Sequence, residues 1–419
     1  MKTSTRNKTT LVAKFGGSSL DSPERIQKAA ASVAEELQRG SRVVVVVSAM
    51  GKTTDSLLNL ARVASNGSVS KQDQDSILSM GERLSAKIFS ASLRSRGIQT
   101  HVFDPADDDW PIISDESFTD ANPLIDESLR LIRQNILPLV ERSVVPIVPG
   151  FIGKTSKGVP TTLGRGGSDT TAFLLAQGLG ARRVVLVSDV DGIFSAHPKL
   201  VERPVKIDKI SVARLAGLAD SGIKFLHVKA LKYKQDDVDV YLVNSSFGNL
   251  RANGTLIYGS LPDLQVVLGD ENPITSVTFV GEQISAHPEI FLGILRKIES
   301  RGTRICGISG NHNSMIFYLS SPTEPALLNA LHKELTSHPE TIAIAVRPDL
   351  AFLQIRGLGL EETPGIVGRI SAPLRENGIN IFGILTVTSS VDLFVDWNEK
   401  ERAIKLIESS LSEEPKTGD

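Results

Sequence analysis

The stretch LGRGGSDTTAFLLAQGLGA, residues 163–181, joins a glycine-rich polar turn to an apolar helical pattern. Positions 164–169 hold three glycines, one arginine, one serine and one aspartate. A turn alone needs fewer glycines, so the cleared side chains indicate that the backbone approaches a ligand closely. Because a helix begins here, its first N–H groups offer donors and a favourable potential to an anion. The stretch therefore predicts a ligand-binding turn at the start of a helix.

Strand-like apolar runs lie on both sides of this predicted helix. VVPIVPGFIG (144–153) precedes it, ARRVVLVSDVDGIF (181–194) follows it, and TLVAKF (10–15) has the same character near the start of the chain. The run Val43–Val47 is apolar on both faces, as expected of a central strand covered by helices. The alternation of strands and helices predicts an α/β domain over residues 1–262, with a mainly parallel central sheet covered by helices.

The pattern changes near Asp263 and then repeats with a period of roughly 75 residues. Each copy has the order βαββα(β), which predicts two ferredoxin-like units, residues 263–345 and 346–419. The first is predicted to end in the strand TIAIAV (341–346), and the second to begin with a separate strand, LAFLQIRGLG (350–359). Because the second copy lacks its last strand, we expect residues of about 264–269 to supply it. Two such sheets lying side by side cover their exposed edges.

Composition excludes several classes of protein. The 419 residues carry a formal net charge of −2, which is no electrostatic footprint for nucleic acid or an anionic membrane. There is no run of about 18 apolar residues that predicts a membrane span. The single cysteine, Cys306, excludes an intramolecular disulfide framework and fits a reducing compartment. No Cys/His cluster has metal-ligand spacing. We expect a cytoplasmic protein without nucleic-acid or membrane partners and without a dedicated metal site.

The segment LVAKFGGSSL (11–20) is a predicted strand followed by two glycines and two hydroxyl side chains. Gly16 and Gly17 can direct successive N–H groups into one concavity that binds phosphate oxygens. Lys14, at the end of the strand, adds a mobile positive charge. The alternative is an ordinary strand-to-helix turn beside a solvated lysine.

Two later segments offer polar groups that suit a ligand. SAMGKTTD (48–55) is not a P-loop, because Val46 stands where the motif requires a glycine. Its hydroxyls, Ser48 and Thr54 among them, suit hydrogen bonding to a ligand, although Thr54 equally fits a helix N-cap. MGERLSAKIFSASLRSRG (80–97) predicts a helix with Glu82 in its first turn, where a glutamate is usually a surface residue that complements the helix dipole.

The remaining candidates are in the stretch 163–181 and in the strand after it. Arg165 can hold a carboxylate through two parallel hydrogen bonds, and Asp169 either helps form the ligand site or caps the helix. The strand at 183–188 ends in Ser-Asp-x-Asp-Gly, at the edge where parallel sheets bind ligands. Asp189 and Asp191 fit contacts with a ribose or a metal ion, and they equally fit the role of turn formers.

Together, and in this order, these segments resemble the aspartokinases of the amino-acid kinase family, and the tail repeat resembles that family's pair of amino-acid-sensing ACT domains. The resemblance covers nearly the whole chain. It is carried by KFGGSS (14–19), SMGERLSA (79–86), PGFIGKTSKGVPTTLGRGGSDTTA (149–172), SDVDGIFSAHPK (188–199) and GIKFLHVKAL (222–231).

The resemblance implies transfer of the γ-phosphoryl group of MgATP to the β-carboxylate of L-aspartate, giving 4-phospho-L-aspartate. This is the first step towards lysine, threonine and methionine. Lys14 and Lys224 would neutralise charge on the transferring group, Asp169 would orient both lysines, and Arg165 would clamp the substrate's α-carboxylate. The implied substrate pocket is completed by Thr54, Glu82, Gly166, Gly167 and Ser168. The implied ATP-binding residues are Lys14, Phe15, Gly16, Gly17, Ser48, Ser168, Ser188, Asp189, Phe194, Lys199 and Lys224.

The chain departs from the family pattern at a few positions. His197-Pro198-Lys199 replaces Asp-Pro-Arg, and Val228 replaces a proline. None of these changes removes a lysine, arginine or aspartate assigned to the transfer, which favours an active enzyme. The alternatives are a non-catalytic ACT-containing amino-acid sensor with a degenerate kinase domain, and a related kinase with another acceptor. The ACT pair implies a homodimer or higher homo-oligomer with lysine and/or threonine as effector. The candidate effector loops are GEQISAHPE (281–289) and GLEETPGI (359–366).

Overall fold

The computed structural model describes residues 9–216, 226–261, 264–320, 324–357, 360, 365–387 and 390–412. Its backbone divides into two units, Met1–Leu261 and Pro262–Asp419. In the described ranges, no helix has both the length and the apolar character needed to cross a membrane.

The first unit is built on an eight-stranded sheet with the order β10-β12-β11-β7-β1-β2-β4-β3. Every neighbouring pair in it is parallel except β11 with β12, which confirms the predicted mainly parallel sheet. β5 pairs with β6, and β8 pairs with β9, in two small antiparallel ribbons. The strands are β1 Thr10–Phe15, β2 Arg42–Val47, β3 Thr100–Val102, β4 Val145–Pro149, β5 Ile152–Lys154, β6 Pro160–Thr162, β7 Arg183–Ser188, β8 Ile193–Phe194, β9 Lys206–Ile207, β10 Lys209–Ser211, β11 Asp239–Asn244 and β12 Thr255–Tyr258.

Helices cover both faces of this sheet and bury an apolar core on each. The all-apolar run of β2 is explained by this arrangement, because alternate valines enter opposite cores. A π-helical segment, Ile132–Ile136, joins α4 to α5. The helices are α1 Pro23–Gln38, α2 Thr53–Ala64, α3 Lys71–Arg94, α4 Ile125–Leu131, α5 Leu137–Glu141, α6 Gly167–Leu179, α7 Val212–Ala216 and α8 Val228–Leu231.

The alternation of side chains along β1 decides where Lys14 points. Leu11, Ala13 and Phe15 enter the core that also holds side chains of α1 and α3, while Val12 enters the core that holds side chains of α6. Successive residues of a strand face opposite sides of the sheet, so Lys14 lies on the same face as Val12. The lysine is therefore directed towards α6.

The second unit has one antiparallel sheet with the order β15-β16-β14-β17-β19-β18, and β13 also pairs with β17. Four helices accompany these strands in the described ranges, and the ferredoxin-like order predicted for both copies is confirmed. The elements are β13 Gln265–Leu268, β14 Ile274–Gly281, α9 Pro288–Glu299, β15 Ile305–Gly310, β16 Ser314–Ser320, α10 Pro325–Leu335, β17 Thr341–Arg356, α11 Ile366–Glu376, β18 Gly383–Val387, β19 Ser390–Asp396 and α12 Lys400–Ser412.

The prediction of two separate strands at 341–346 and 350–359 is wrong, because Thr341–Arg356 forms the single strand β17. Its first part pairs with β14, and Leu350–Arg356 pairs with β19. The ladder with β14 is irregular at Arg347-Pro348-Asp349, where Asp349 takes a positive φ of 59°. The predicted boundary between the two ferredoxin-like units, between residues 345 and 346, therefore lies inside β17. β13 pairs with Leu353–Arg356.

Candidate active site

The loops that follow three central strands meet at one edge of the first unit's sheet. Phe15 is in register with Val47 of β2 and with Val187 of β7, so β1, β2 and β7 end at the same level. The amide of Gly16 donates to the carbonyl of Val187 at 3.0 Å, and the amide of Gly51 donates to the carbonyl of Gly17 at 3.0 Å. This is the carboxyl edge, where parallel sheets bind their ligands.

Close packing of backbone explains one of the two glycines after β1. A Cβ on Gly17 would lie 2.7 Å from the carbonyl oxygen of Ala49, a separation that real Cβ atoms do not reach. Gly16 has an ordinary extended conformation, with φ −72°, and a Cβ there would lie 3.4 Å from its nearest neighbour. The turn Gly17–Ser19 is one 3₁₀ turn, and it brings the loops after β1 and β2 together.

Lys14 and Asp169 form an ion pair at this edge. The ammonium nitrogen lies 2.7 Å from Oδ1 of the carboxylate, and the two side chains are 15% and 8% exposed. Asp169 is the third residue of α6, whose N-cap is Gly166 and whose first turn has no side-chain cap. The alternative that Asp169 caps the helix is therefore wrong for this structure. Its carboxylate is directed at the lysine of the neighbouring strand.

The glycines of the turn before α6 are required by its geometry. Gly164 and Gly166 have positive φ values of 69° and 76°, which side chains disfavour. A Cβ on Gly166 would also lie 2.8 Å from Cβ of His227. The Ser48 hydroxyl donates to the Ser168 hydroxyl at 3.0 Å, linking the turn to the loop after β2. Arg165 is exposed between the two positive-φ glycines and makes no ion pair with the described residues.

Glu82 differs from the sequence prediction. The helix α3 begins at Lys71, where the Ser70 hydroxyl caps it by accepting from the amide of Asp73, so Glu82 lies in mid-helix and not in a first turn. Its side chain is only 4% exposed, so the surface interpretation is also wrong. The preceding Gly81 fits because a Cβ there would lie 2.9 Å from Cβ of Ala49.

The carboxyl group of Glu82 has one satisfied oxygen and one free oxygen. The amide of Ala49 donates to Oε1 at 3.1 Å, whereas Oε2 is buried without a hydrogen-bond partner in the described structure. Burial raises the pKa of Glu82 to about 7, and the hydrogen bond from Ala49 opposes that rise. A buried carboxyl with a free oxygen is a candidate partner for a cationic group of a ligand.

Thr54 is half-buried at the second position of α2, and the N-cap of this helix is Lys52. The interpretation of Thr54 as an N-cap is therefore wrong. Its neighbour Thr53 closes the first turn instead, donating its hydroxyl to the carbonyl of Met50 at 2.6 Å. Thr54 lies in the first turn of α2, which follows the loop whose Ala49 amide donates to Glu82.

The segment after β7 is held by one local contact and by one contact from the end of β11. The Ser188 hydroxyl donates to Asp189 Oδ1 at 3.2 Å, and the Asn244 side-chain amide donates to Asp191 Oδ1 at 2.7 Å. Phe194 is half-buried in β8, and Lys199 is exposed. In the described ranges, no three His, Cys, Asp or Glu side chains are placed to hold a metal ion. Lys224 lies outside the described residues.

Two further residues, Phe151 and Asp75, contribute to this region without having been predicted from the sequence. Phe151 has a positive φ of 69° and lies against Gly167, whose Cβ would come within 3.0 Å of the ring. A strained conformation leaves no trace in the sequence. Asp75 is completely buried, and it precedes Glu82 by seven residues on α3. That spacing places both carboxyls on one face of a helix, which is the signal that could have found it.

The comparisons with known proteins agree with the α/β fold and with a candidate site at the carboxyl edge of its sheet. The model of the amino acid kinase family matches residues 9–244, and an ACT domain model matches residues 345–409. The chain belongs to the amino acid kinase family.

Within that family, the chain is similar to aspartokinases. An aspartokinase from Geobacillus stearothermophilus is 34% identical over 380 residues, covering 88% of this chain and 89% of the relative. The solved aspartate kinase from Synechocystis aligns over 98% of this chain and 71% of its own, with a TM-score of 0.76 and 25% identity. The E. coli aspartokinase III solved with lysine and aspartate aligns over 96% of this chain and 100% of its own, with a TM-score of 0.54 and 25% identity.

Proposed function

We propose that this chain transfers the γ-phosphoryl group of ATP to the β-carboxylate of L-aspartate, giving 4-phospho-L-aspartate. The observation that carries the proposal is the ion pair between Lys14 and Asp169, which holds an ammonium group beside the Gly16–Gly17 turn. Phosphoryl transfer depends mainly on positioning and on neutralising the charge of the transferring group. The anchored lysine would provide the charge, and the turn beside it would help position the phosphates through the N–H of Gly17, since the N–H of Gly16 is bonded to the carbonyl of Val187.

The substrate end of the site is proposed to hold aspartate by its α-substituents. Arg165, exposed and without an ion pair in the described structure, would clamp the α-carboxylate through two parallel hydrogen bonds. The free oxygen of Glu82 would accept from the α-ammonium group, the only cation on this substrate. Thr54 and the turn Gly166–Ser168 would complete the pocket. The E. coli enzyme solved with aspartate supports this choice of acceptor.

The nucleotide is proposed to lie along the carboxyl edge of the sheet, with Mg²⁺ arriving on its phosphates. Lys14 and Lys224 would neutralise the transferring group, and Asp169 would orient Lys14 as it does in the ion pair. No dedicated protein site for the metal is invoked. The proposed ATP-binding residues are Lys14, Phe15, Gly16, Gly17, Ser48, Ser168, Ser188, Asp189, Phe194, Lys199 and Lys224.

The reaction itself is a direct in-line displacement. An oxygen of the β-carboxylate attacks the γ-phosphorus, the bond to the β–γ bridging oxygen breaks, and ADP leaves with that oxygen. The attacking carboxylate is already ionised, so no general base is required. Lys14 stabilises the charge on the transferring oxygens as they move between the two substrates.

Regulation is proposed to reside in the second unit. The candidate effector loop 281–289 leads into α9 beside a cavity of about 420 Å³, lined by His287, Phe291, Ile308 and Met315 among others. Most of the other candidate loop, 359–366, lies outside the described residues. We expect lysine and/or threonine to act there and the chain to form a homodimer or a higher homo-oligomer. The E. coli aspartokinase III structure that holds lysine supports an amino-acid effector.

The experiment that tests the proposal is ATP-dependent formation of an acyl phosphate, trapped with hydroxylamine as the hydroxamate. L-Aspartate is compared with L-glutamate and carbamate as acceptors, and UMP is tested in parallel by the release of ADP, because its product, UDP, is not an acyl phosphate. Every assay contains Mg²⁺ and folded protein. Product with aspartate alone supports the proposal. Product with another acceptor alone indicates the related-kinase alternative, and no product with any acceptor indicates a non-catalytic sensor. Lysine, threonine and methionine added singly and in pairs then test the regulatory part.

A further inference from the structure

Asp75 is a buried carboxyl that the proposed reaction does not use. It lies near the start of α3 with 0% exposure, and three donors converge on it. The amides of Thr119 and Thr162 donate to Oδ2 at 2.8 and 3.0 Å, and the Thr162 hydroxyl donates to Oδ1 at 2.6 Å. A buried carboxyl that satisfies three donors is costly to remove, because each donor would be left unpaired.

These three hydrogen bonds join segments that are far apart in the chain. Thr162 is the last residue of β6, and Leu163 and the Gly164–Ser168 turn follow it directly. Thr119 has a positive φ of 76°, and Ala121 donates its amide to the carbonyl of Thr162 at 2.9 Å. Asp75 therefore fixes the point at which the chain enters the proposed substrate turn.

The same helix carries the proposed partner of the substrate's ammonium group. Glu82 follows Asp75 by seven residues, which is two helical turns, or about 10.5 Å along the axis. Both carboxyls consequently lie on one face of the helix. Asp75 is bonded to Thr162 of β6, and Glu82 is bonded to the amide of Ala49 in the loop after β2. A change in the Asp75 contacts would alter the distance between Glu82 and Arg165.

Asp75 acts as a hydrogen-bond acceptor and not as a partner in an ion pair. No lysine or arginine in the described structure forms an ion pair with Asp75. Burial raises its pKa, while the hydrogen bonds from Thr162 and Thr119 oppose the rise. An uncharged group that accepts from the same two amides can therefore replace it.

We propose that Asp75 is a positioning residue for aspartate binding, setting the separation of Glu82 and the Arg165 turn through its hydrogen bonds to Thr162 and Thr119. The inference rests on the proposed function for the identity of the substrate. Asp75 has no exposed surface, so it acts through these neighbours and not by touching the ligand.

The test compares three variants with a matched control. Asp75→Ala removes all three contacts, and Thr162→Val removes only the hydroxyl contact. Asp75→Asn keeps an acceptor for both amides, while its NH₂ group donates to the Thr162 hydroxyl. The control is Glu36→Ala, which removes a carboxyl that is also buried, 2% exposed, and that binds Arg251 and Ser41 beside the start of β2. That position is at the opposite edge of the sheet from the proposed site.

Two readouts are measured on the full chain: amide hydrogen exchange across residues 160–168, and KM for aspartate and for ATP. For Asp75→Ala we expect faster exchange in that segment and a KM for aspartate raised about 10-fold or more, with KM for ATP little changed. Thr162→Val should give a smaller rise, and Asp75→Asn should remain close to the wild type. Glu36→Ala should lower Tm without either effect.

The proposal is overturned if Asp75→Ala leaves exchange across 160–168 as slow as in the wild type, or if Glu36→Ala raises KM for aspartate equally. It is also overturned if Asp75→Asn has exchange rates and a KM for aspartate as high as those of Asp75→Ala, or if Thr162→Val has no effect on either readout. Hydrogen exchange needs no turnover, so it tests the positioning of the turn even if the wild type forms no hydroxamate. Failure of the proposed function and failure of this inference are thereby distinguished.

Discussion

The ammonium nitrogen of Lys14 lies 2.7 Å from a carboxylate oxygen of Asp169, joining the end of a central strand to the first turn of a helix. The two side chains are largely buried, so water screens their attraction less than that of a surface pair. The pair holds the lysine in place before any ligand arrives. Preorganised charge of this kind stabilises a transition state without reorganisation during the reaction.

Lys14→Ala should lower kcat by about 10²–10³, with a smaller effect on KM for aspartate, because the lysine acts on the transferring group. Asp169→Ala should also lower kcat, and the double variant should be little worse than Lys14→Ala, because Asp169 acts through the lysine. Initial-rate kinetics on the three variants measure this coupling. Arg251→Ala is the control, since it breaks an ion pair with Glu36 away from the proposed site. Fully additive losses would show that Asp169 does not act through Lys14.

Arg165→Ala should raise KM for aspartate about 10–100-fold while KM for ATP changes little. That range corresponds to a loss of about 1.4–2.8 kcal/mol in total, which is the net contribution of about one hydrogen bond to a charged group, because water replaces part of the clamp at this exposed position. Arg165→Lys should recover only part of the loss, because an ammonium group cannot form the two parallel hydrogen bonds of a guanidinium group. Steady-state kinetics with each substrate varied in turn measure both constants. An equal rise in both KM values would mean that Arg165 does not clamp the aspartate.

Glu82→Gln should change how stability depends on pH. Burial raises the pKa of Glu82 from its usual 4.5 to about 7, so the folded protein binds this proton more tightly than the unfolded chain does. The stabilisation from the bound proton is complete below about pH 4.5 and is lost as pH rises through about 7. The variant, which has no such proton, should therefore gain in Tm relative to the wild type between these pH values. The difference should level off above pH 8.

The same residue should govern the pH dependence of aspartate binding. If the ionised carboxyl binds the substrate's ammonium group, the wild type should bind aspartate more tightly as pH rises through about 7. Glu82→Gln should bind weakly, with no such rise. Calorimetric titration between pH 5.5 and 8.5 compares the two proteins. A wild-type affinity that stays constant over this range would remove Glu82 from the ammonium subsite.

Gly166→Ala and Gly180→Ala form a matched pair at the two ends of α6. Both glycines have positive φ values, 76° and 62°, so alanine costs about 1–2 kcal/mol of backbone strain at either position. Only Gly166 has a close neighbour, because its Cβ would lie 2.8 Å from Cβ of His227, whereas the space beside Gly180 is open. Both variants should lose stability in urea unfolding, and Gly166→Ala should also lose aspartate binding. Equal binding by the two variants would contradict a substrate role for the turn.

Local patterns were sufficient to predict the central strands β1, β2 and β7, because a hydrophobic run bounded by turn residues is set over a few residues. Glu82 was misplaced because the sequence favoured a helix start near Gly81, whereas the helix begins ten residues before Gly81, at Lys71, with Ser70 as its N-cap. Asp75 and Phe151 were missed because their roles depend on contacts between distant segments. The continuous strand β17 was missed because each copy of the repeat was assigned a strand of its own, whereas pairing with the distant strands β14 and β19 joins the two.

Direct phosphorylation of the β-carboxylate is tested most directly by isotope transfer. L-Aspartate labelled with ¹⁸O in its β-carboxylate is incubated with ATP, Mg²⁺ and the protein, and the product is trapped with hydroxylamine. Hydroxylamine attacks the acyl carbon, so the phosphate released keeps the oxygen that joined it to aspartate. We expect one ¹⁸O in each phosphate released with the hydroxamate, as measured by mass spectrometry. Phosphate without ¹⁸O would contradict it, because the γ-phosphoryl group would then have been transferred to water.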